Sequence, residues 1–310
     1  MEFLVAGFEI IEQEPGLNGI YKAAELPGRI CYGSQDKIAE GTAERFCNGL
    51  MKSNHGAPLE HGTVYLMYSY PRKSWNTPEL VNFYKTNPYS KVHWADDSED
   101  DYVACITTNL RVLFENNRMD DLKYWSEPTK YHERRVQVRF TVDRFTGEEF
   151  LRHRKASFNR ESTRYVTFTK EKFGGGSIKF IIPTWMLDEI DRLDRYTNED
   201  VSYFAGSIVE SERTGQPLDD VFYWAAALKV AEWSYNKLVN ECGWQAQQAR
   251  TVLPCAINSP LIKTAFISDW IHFFKLRSIG TTGKPHPQAE ELATPLMHEF
   301  IKRGYMKPIQ

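Results

Sequence analysis

The strongest constraint on how this chain can fold is a change of period between residues 136 and 164. Val136, Val138, Phe140 and Val142 alternate with Gln137, Arg139 and Thr141, the period-two pattern of a half-buried strand. Thr146, with Glu149 three positions later, then reads as a capping box opening a helix that carries Phe150-Leu151-Arg152-His153-Arg154. The chain runs on without punctuation through Lys155-Ala156-Ser157-Phe158-Asn159-Arg160-Glu161-Ser162-Thr163-Arg164-Tyr165. A strand and a helix must therefore deliver a dense cationic segment to one place in the fold. Arginine forks match phosphate oxygens two at a time, so the segment suits a small phosphorylated ligand. The alternative is a solvated helix face on which Glu148 and Arg152, four apart, pair with each other.

Other segments set the fold class. Val64–Tyr70 and Ile178–Ile182 read as strands, the second stopped by Pro183. Val221, Trp224, Ala225, Leu228, Ala231, Tyr235 and Leu238 recur at helical spacing between Asp219-Asp220 and Gly243, a stripe read as core. Further helices are expected from Ser268-Asp269 through Leu276 and from about Gln288 to Arg303. Residues 96–101, 174–176 and 279–285 read as loops. With no regular alternation of strand and helix, the expectation is an α+β fold: a mixed, largely antiparallel sheet with packed helices. Residues 1–310 are read as one enlarged catalytic domain.

Composition narrows the class of function. A chain 42% apolar and 25% charged, with a net charge of −3, is globular and carries no general charge for coating nucleic acid. No apolar run is long enough for a membrane helix, and the first residues lack a signal-peptide pattern. Cys31, Cys47, Cys105, Cys242 and Cys255 are odd in number and widely spaced, which fits reduced thiols in a cytoplasm. No histidine or cysteine spacing suggests a metal.

Arg152-His153-Arg154, followed after seven residues by Ser162, resembles the R-H-R-x7-S signature of the flavin-dependent thymidylate synthases. Three more blocks are similar to that family and stand in its order: Pro58-Leu59-Glu60-His61; Ala249-Arg250 leading to Leu253-Pro254; and His272-Phe273-Phe274-Lys275-Leu276-Arg277 followed by His286-Pro287-Gln288. The blocks span about residues 55–295, and the length beyond compact members lies at about 71–135.

The resemblance implies that family's fold and a tetramer whose active sites are shared between subunits. It implies methylation of dUMP to dTMP, with methylenetetrahydrofolate as carbon donor, FAD as hydride carrier and NADPH as reductant. Arg152, Arg164 and Arg250 would hold the nucleotide, chiefly its phosphate, with Glu149, Arg160, Ser162, Thr163 and Arg277 lining it. His61, Thr63, Arg152, His153, Arg154, Asn159, Ser268 and His272 would contact FAD. Arg277 would be catalytic: a cation beside the pyrimidine favours its N3-deprotonated form and enriches C5 as a nucleophile.

Departures accompany the likeness. Compact members carry glutamine at the place of Glu149, often an acid at Arg160, and Asn-x-Arg where Phe266-Ile267-Ser268 stands; the longer branch has a similar Ser-Asp-Trp-x-His-Phe-Phe. Alternatives within and beyond the family are hydroxymethylation of the pyrimidine and a non-catalytic nucleotide-binding homologue. Leu253-Pro254-Cys255 superficially resembles the nucleophile of the thiol-dependent thymidylate synthases, but no activating base for Cys255 is visible in the sequence.

Overall fold

The structure is a computed structural model that describes residues 1–74, 76–95, 99–164, 166–168 and 177–309. The expected turn at Gly174–Gly176, the start of the acidic loop at Asp96–Ser98 and Tyr165 lie outside the described residues.

Nine strands are described: β1 (Glu2–Leu4), β2 (Gly7–Ile11), β3 (Thr63–Pro71), β4 (Lys91–Ala95), β5 (Asp101–Asn109), β6 (Arg135–Thr141), β7 (Ser157–Arg160), β8 (Lys179–Ile181) and β9 (Leu261–Phe266). They form a four-stranded antiparallel sheet in the order β2-β6-β9-β7, a three-stranded antiparallel sheet β3-β5-β4, and a parallel pair β1-β8. The helices that pack on them are α1 (Leu17–Cys31), α2 (Thr42–Lys52), α3 (Glu79–Thr86), α4 (Leu110–Glu115), α5 (Arg144–Leu151), α6 (Ile190–Tyr196), α7 (Val201–Thr214), α8 (Asp220–Asn240), α9 (Ala246–Ala249), α10 (Ile267–Phe274) and α11 (Pro287–Lys302). The fold is α+β with largely antiparallel sheets, as the irregular order of strand and helix signals requires.

The period-two logic of the four-stranded sheet decides what each face holds. Val136, Val138 and Phe140 of β6, and Leu261 and Ala265 of β9, point to one side and pack against Phe150, Trp270, Phe273, Leu296 and Phe300 of α5, α10 and α11. The Trp270 indole N–H donates to the Val136 carbonyl at 3.0 Å, which locks α10 onto β6. On the other side lie Gln137, Ser157, Asn159 and Thr264, all buried. The expected half-burial at 136–142 holds at Arg139 and Thr141, which stay partly exposed, whereas Gln137 is buried; α1 and the helical turn Ala57–His61 pack on β7 and β9 of the same sheet.

The extra segment folds as α3, β4, β5 and α4. It builds a separate core with β3, around Leu66, Val81, Tyr84, Ile106 and Leu113. Helix α8 is capped by Asp219, whose carboxylate accepts from the Phe222 N–H at 2.8 Å, and buries Val221, Ala225, Leu228 and Tyr235 as the stripe predicts.

Candidate active site

The expected capping box is replaced by a different cap, and that frees Glu149. Asp143, not Thr146, closes the N-terminus of α5: its carboxylate accepts from the Thr146 N–H at 2.9 Å and the Thr146 hydroxyl at 2.6 Å. The Gln288 amide donates to the same buried carboxylate at 2.9 Å, which ties the start of α11 to α5. Helix α5 ends at Leu151, one residue before the cationic segment, so Arg152–Arg154 lie beyond it rather than inside it. Glu149 ion-pairs with Arg277 at 2.8 Å, and the Arg277 guanidinium also donates to the Glu149 carbonyl at 3.1 Å. Glu148 pairs with Arg160 at 2.7 Å instead of with Arg152, and the Arg160 hydrogen bond lowers the Glu148 carboxyl from its ordinary pKa.

Arg277 reaches Glu149 because α10 widens into a π-helical turn at Lys275–Ile279. Gly280 ends that turn at φ +75°, and a Cβ there would meet the Gly283 carbonyl oxygen at 2.7 Å. Only glycine allows both the backbone angle and this close return.

Arg152, His153, Arg154, His272 and Arg277 line one cleft of about 480 Å³. Sequence reasoning missed three further charged lining residues, Lys155, Lys263 and Asp269. A signal for Lys263 was available: it is the one charge in the otherwise apolar and hydroxylic strand Leu261–Phe266. His153 stands edge-on to Phe273 and His272, with ring centroids 5.0 and 5.9 Å away. Burial, followed by the cations Lys263 and Arg277, pushes its imidazole down to about 3, so the ring is neutral near pH 7. Burial raises the Asp269 carboxyl. The wall is therefore cationic with a single carboxylate. His153 Nε2, Lys263 Nζ and Arg277 Nε are buried there without a hydrogen-bond partner in the chain. Such a lining fits a planar, acceptor-bearing, anionic ligand, including a nucleotide or a flavin.

A second cleft of about 510 Å³ shares Arg152 with the first. Glu149, Glu148, Gln288 and Cys255 line it, together with Phe145 and Trp185, which are 67% and 65% exposed. The Glu149–Arg277 pair stands between the clefts, with one partner in each wall.

The remaining expected residues, Ser268 apart, fall into two groups. In the first, the Ser162 hydroxyl accepts from the Arg164 N–H at 3.3 Å, and the Thr163 hydroxyl accepts from Arg250 at 3.2 Å. Arg160, anchored to Glu148, links this Ser162–Arg164 ledge to the wall of the second cleft. In the second group, His61, Thr63 and Asn159 are buried on the opposite face of the sheet. His61 Nδ1 meets the Thr264 hydroxyl at 2.7 Å and Nε2 meets Asn159 Oδ1 at 3.3 Å; Arg135 donates to the Thr63 hydroxyl at 3.4 Å. Ser268 is exposed and engaged by the extra segment: its N–H donates to Glu133 at 3.0 Å and its hydroxyl bonds Lys91. Lys91 also lies 4.7 Å from the ring centroid of Phe266.

The family model described as thymidylate synthase complementing protein matches residues 132–303, more than half of the chain. The chain belongs to that family. The match takes in both clefts' shared residue Arg152, the Glu149–Arg277 pair and the Ser162–Arg164 ledge, and leaves out His61 and Thr63. The chain is similar to the flavin-dependent thymidylate synthase of Geobacter sulfurreducens, 28% identical over 136 residues, or 44% of each chain. It is similar to the enzyme of the same name from Pyrococcus furiosus, 23% identical over 166 residues, or 54% of each. The matched segments thus span about half the length of these curated relatives. Among solved structures, the UMP/dUMP methylase PolB of Streptomyces cacaoi, bound with 5-Br dUMP, aligns over 99% of this chain and 100% of its own, with a TM-score of 0.40 and 18% identity. Family membership bears out the resemblance to that family.

Proposed function

We propose that this member of the thymidylate synthase complementing protein family methylates dUMP to dTMP, with methylenetetrahydrofolate as carbon donor, FAD as hydride carrier and NADPH as reductant. The observation that carries the reading is the Arg277–Glu149 pair standing between two clefts that meet at Arg152. Two ring ligands brought to either side of one guanidinium are what a transfer between them needs.

In this reading the phosphate of dUMP lies on Arg152, Arg164 and Arg250, with Arg160, Ser162 and Thr163 shaping the ledge. Arg277 faces the pyrimidine and favours its N3-deprotonated form, which puts electron density on C5. Glu149 holds the guanidinium fork in place. The C5 carbon would then bond to the donor's methylene carbon while the bonds from that carbon to the folate nitrogens break, so that tetrahydrofolate leaves and C5 gives up its own hydrogen as a proton. Bound FAD supplies the hydride that completes the methyl group. His153, Arg154 and His272 hold the flavin, with the neutral imidazole of His153 adding no charge of its own. His61, Thr63 and Asn159 enter as supports, since their polar groups bond within the chain and brace the Ala57–His61 turn against the sheet that carries the cleft. The relatives' name, flavin-dependent thymidylate synthase, supports the flavin part of the reading. A tetramer that shares its sites between subunits belongs to the same reading, and light scattering of the purified chain checks it.

The test is tritium release from C5-labelled dUMP in the presence of methylenetetrahydrofolate, NADPH and FAD, with the product's mass identifying the added group. Release that needs all three, with dTMP as product, is expected. No release, from protein that nevertheless binds dUMP, would sink the enzymatic reading.

A further inference from the structure

Lys263 has a position that packing alone does not explain. It stands in the middle of β9 on the face that packs against α10, with no exposed surface. Its amine lies 3.7 Å from the Phe273 ring centroid, 4.1 Å from that of Trp270 and 5.9 Å from that of Phe158. It has no hydrogen-bond acceptor. Aromatic faces attract a cation but offer no lone pair to an N–H. Burial pushes the amine well below its ordinary pKa; the Asp269 carboxylate acts against that shift and the Arg277 charge adds to it. A buried amine left in this state calls for a partner from outside the chain.

Two other observations say what that partner presents. His153 Nε2 and Arg277 Nε line the same cleft and also lack partners. The three nitrogens come from three different elements: β9, the segment after α5, and the π-helical turn after α10. Lys263 and Arg277 can only donate or, for a neutral amine, accept once; the imidazole donates or accepts according to its tautomer. A flat ligand that satisfies them carries carbonyl oxygens and a ring nitrogen along one edge. A pyrimidine-2,4-dione has that edge, and it occurs both in a uracil nucleotide and in the pyrimidine ring of a flavin.

We propose that Lys263 is a ligand-binding residue of the cleft, whose amine donates to a carbonyl oxygen of a pyrimidine-2,4-dione ring seated beside His153 and Arg277. This rests on the proposed function, in which FAD lies in this cleft and the dUMP ring reaches Arg277 at its wall, so that either ring can meet Lys263. The lysine is retained at the expense of the unliganded fold and is satisfied only when the ring is in place.

The test compares full-length wild type with Lys263→Met, an unbranched apolar side chain of similar length. Melting temperature is read without ligand, and dUMP and FAD are titrated separately by calorimetry. The expected result is a variant that melts higher than wild type and binds one of the two ligands about tenfold more weakly. The ligand affected identifies the ring that Lys263 contacts. Lys263→Gln, which keeps a donor, should recover part of the lost affinity. Wild type that binds both ligands, with both affinities unchanged in Lys263→Met, overturns the role of Lys263 and leaves the proposed function standing. Equal weakening in Lys263→Met and Lys263→Gln overturns the donor role. Wild type that binds neither ligand overturns the proposed function and this inference together. If Lys263→Met does not fold, the lysine is structural, and the inference fails.

Discussion

His61 and His153 sit on opposite faces of the same sheet, and burial pushes both imidazoles down to about 3. His61 is buried and His153 half-buried, and their hydrogen bonding differs. Both ring nitrogens of His61 meet a partner, Thr264 and Asn159, whereas His153 Nε2 meets none. A fully partnered buried histidine is a joint in the scaffold. One whose buried nitrogen is left open, beside two more open nitrogens in a cationic cleft, is the one the proposed function gives to a ligand. Equal pKa displacement therefore carries no functional assignment until the hydrogen bonds are counted.

The contrast is sharpest at the ligand-facing side. Arg277→Ala should give the largest effect, a fall in turnover of about 10²–10³-fold, since a preorganised donor aimed at developing charge is removed. Steady-state kinetics with dUMP varied check this, and unchanged turnover would remove Arg277 from the chemistry. Next, Arg152→Ala should weaken dUMP binding by roughly 1.5–3 kcal/mol through loss of a charge-assisted phosphate contact. Calorimetric titration that shows equal affinity would take the phosphate off this arginine.

The two histidines should then respond in opposite currencies. His61→Ala should lower unfolding free energy by roughly 2–4 kcal/mol, because it opens a cavity and leaves Thr264 and Asn159 without their bonds. His153→Ala should change stability far less and weaken ligand binding. Urea unfolding and titration of both variants separate the outcomes, and a larger stability loss for His153→Ala would reverse the assignment.

A pH effect follows from His61 with a definite sign. Its ordinary pKa is 6.5 and its folded value is about 3, so between these values the unfolded chain binds a proton that the folded chain refuses. Stability should rise with pH across that window, by at most about 1.4 kcal/mol per pH unit from this group. Glu161, raised to about 7 by burial, acts in the opposite direction from its ordinary 4.5 upward. The useful quantity is therefore wild type minus His61→Ala across pH 4–6.5, in which the Glu161 contribution cancels; a flat difference would contradict the burial assignment. The smallest effect belongs to Cys255→Ala. The thiol lines the second cleft, yet the proposed reaction makes no use of it, so activity should stay within about twofold, and its abolition in the tritium assay would revive a thiol mechanism.

Much of the scaffold was legible because it depends on local periodicity. The alternation at 136–142, the apolar stripe of α8 and the start of α11 near Gln288 all stand where their spacing places them. Caps were less legible, since several residues can cap one helix. Thr146 with Glu149 satisfied the capping pattern, but Asp143 holds the helix start and leaves Glu149 for Arg277, 128 residues away. The motif residues were found by resemblance, and the resemblance could not sort them by face.

The sequence by itself determined the α+β class, the family and the concentration of cations from Arg152 to Arg164, since each is written in short-range order. Only the tertiary structure decided that His61, Thr63 and Asn159 lie across the sheet from His153, Arg154 and His272. It alone brought Lys263 into the cleft wall as a buried amine without an acceptor. The reason is geometric: which face a strand residue occupies depends on the register of β6, β7 and β9 and on what α1 and α10 bring against each side, and those pairings join residues more than 100 positions apart.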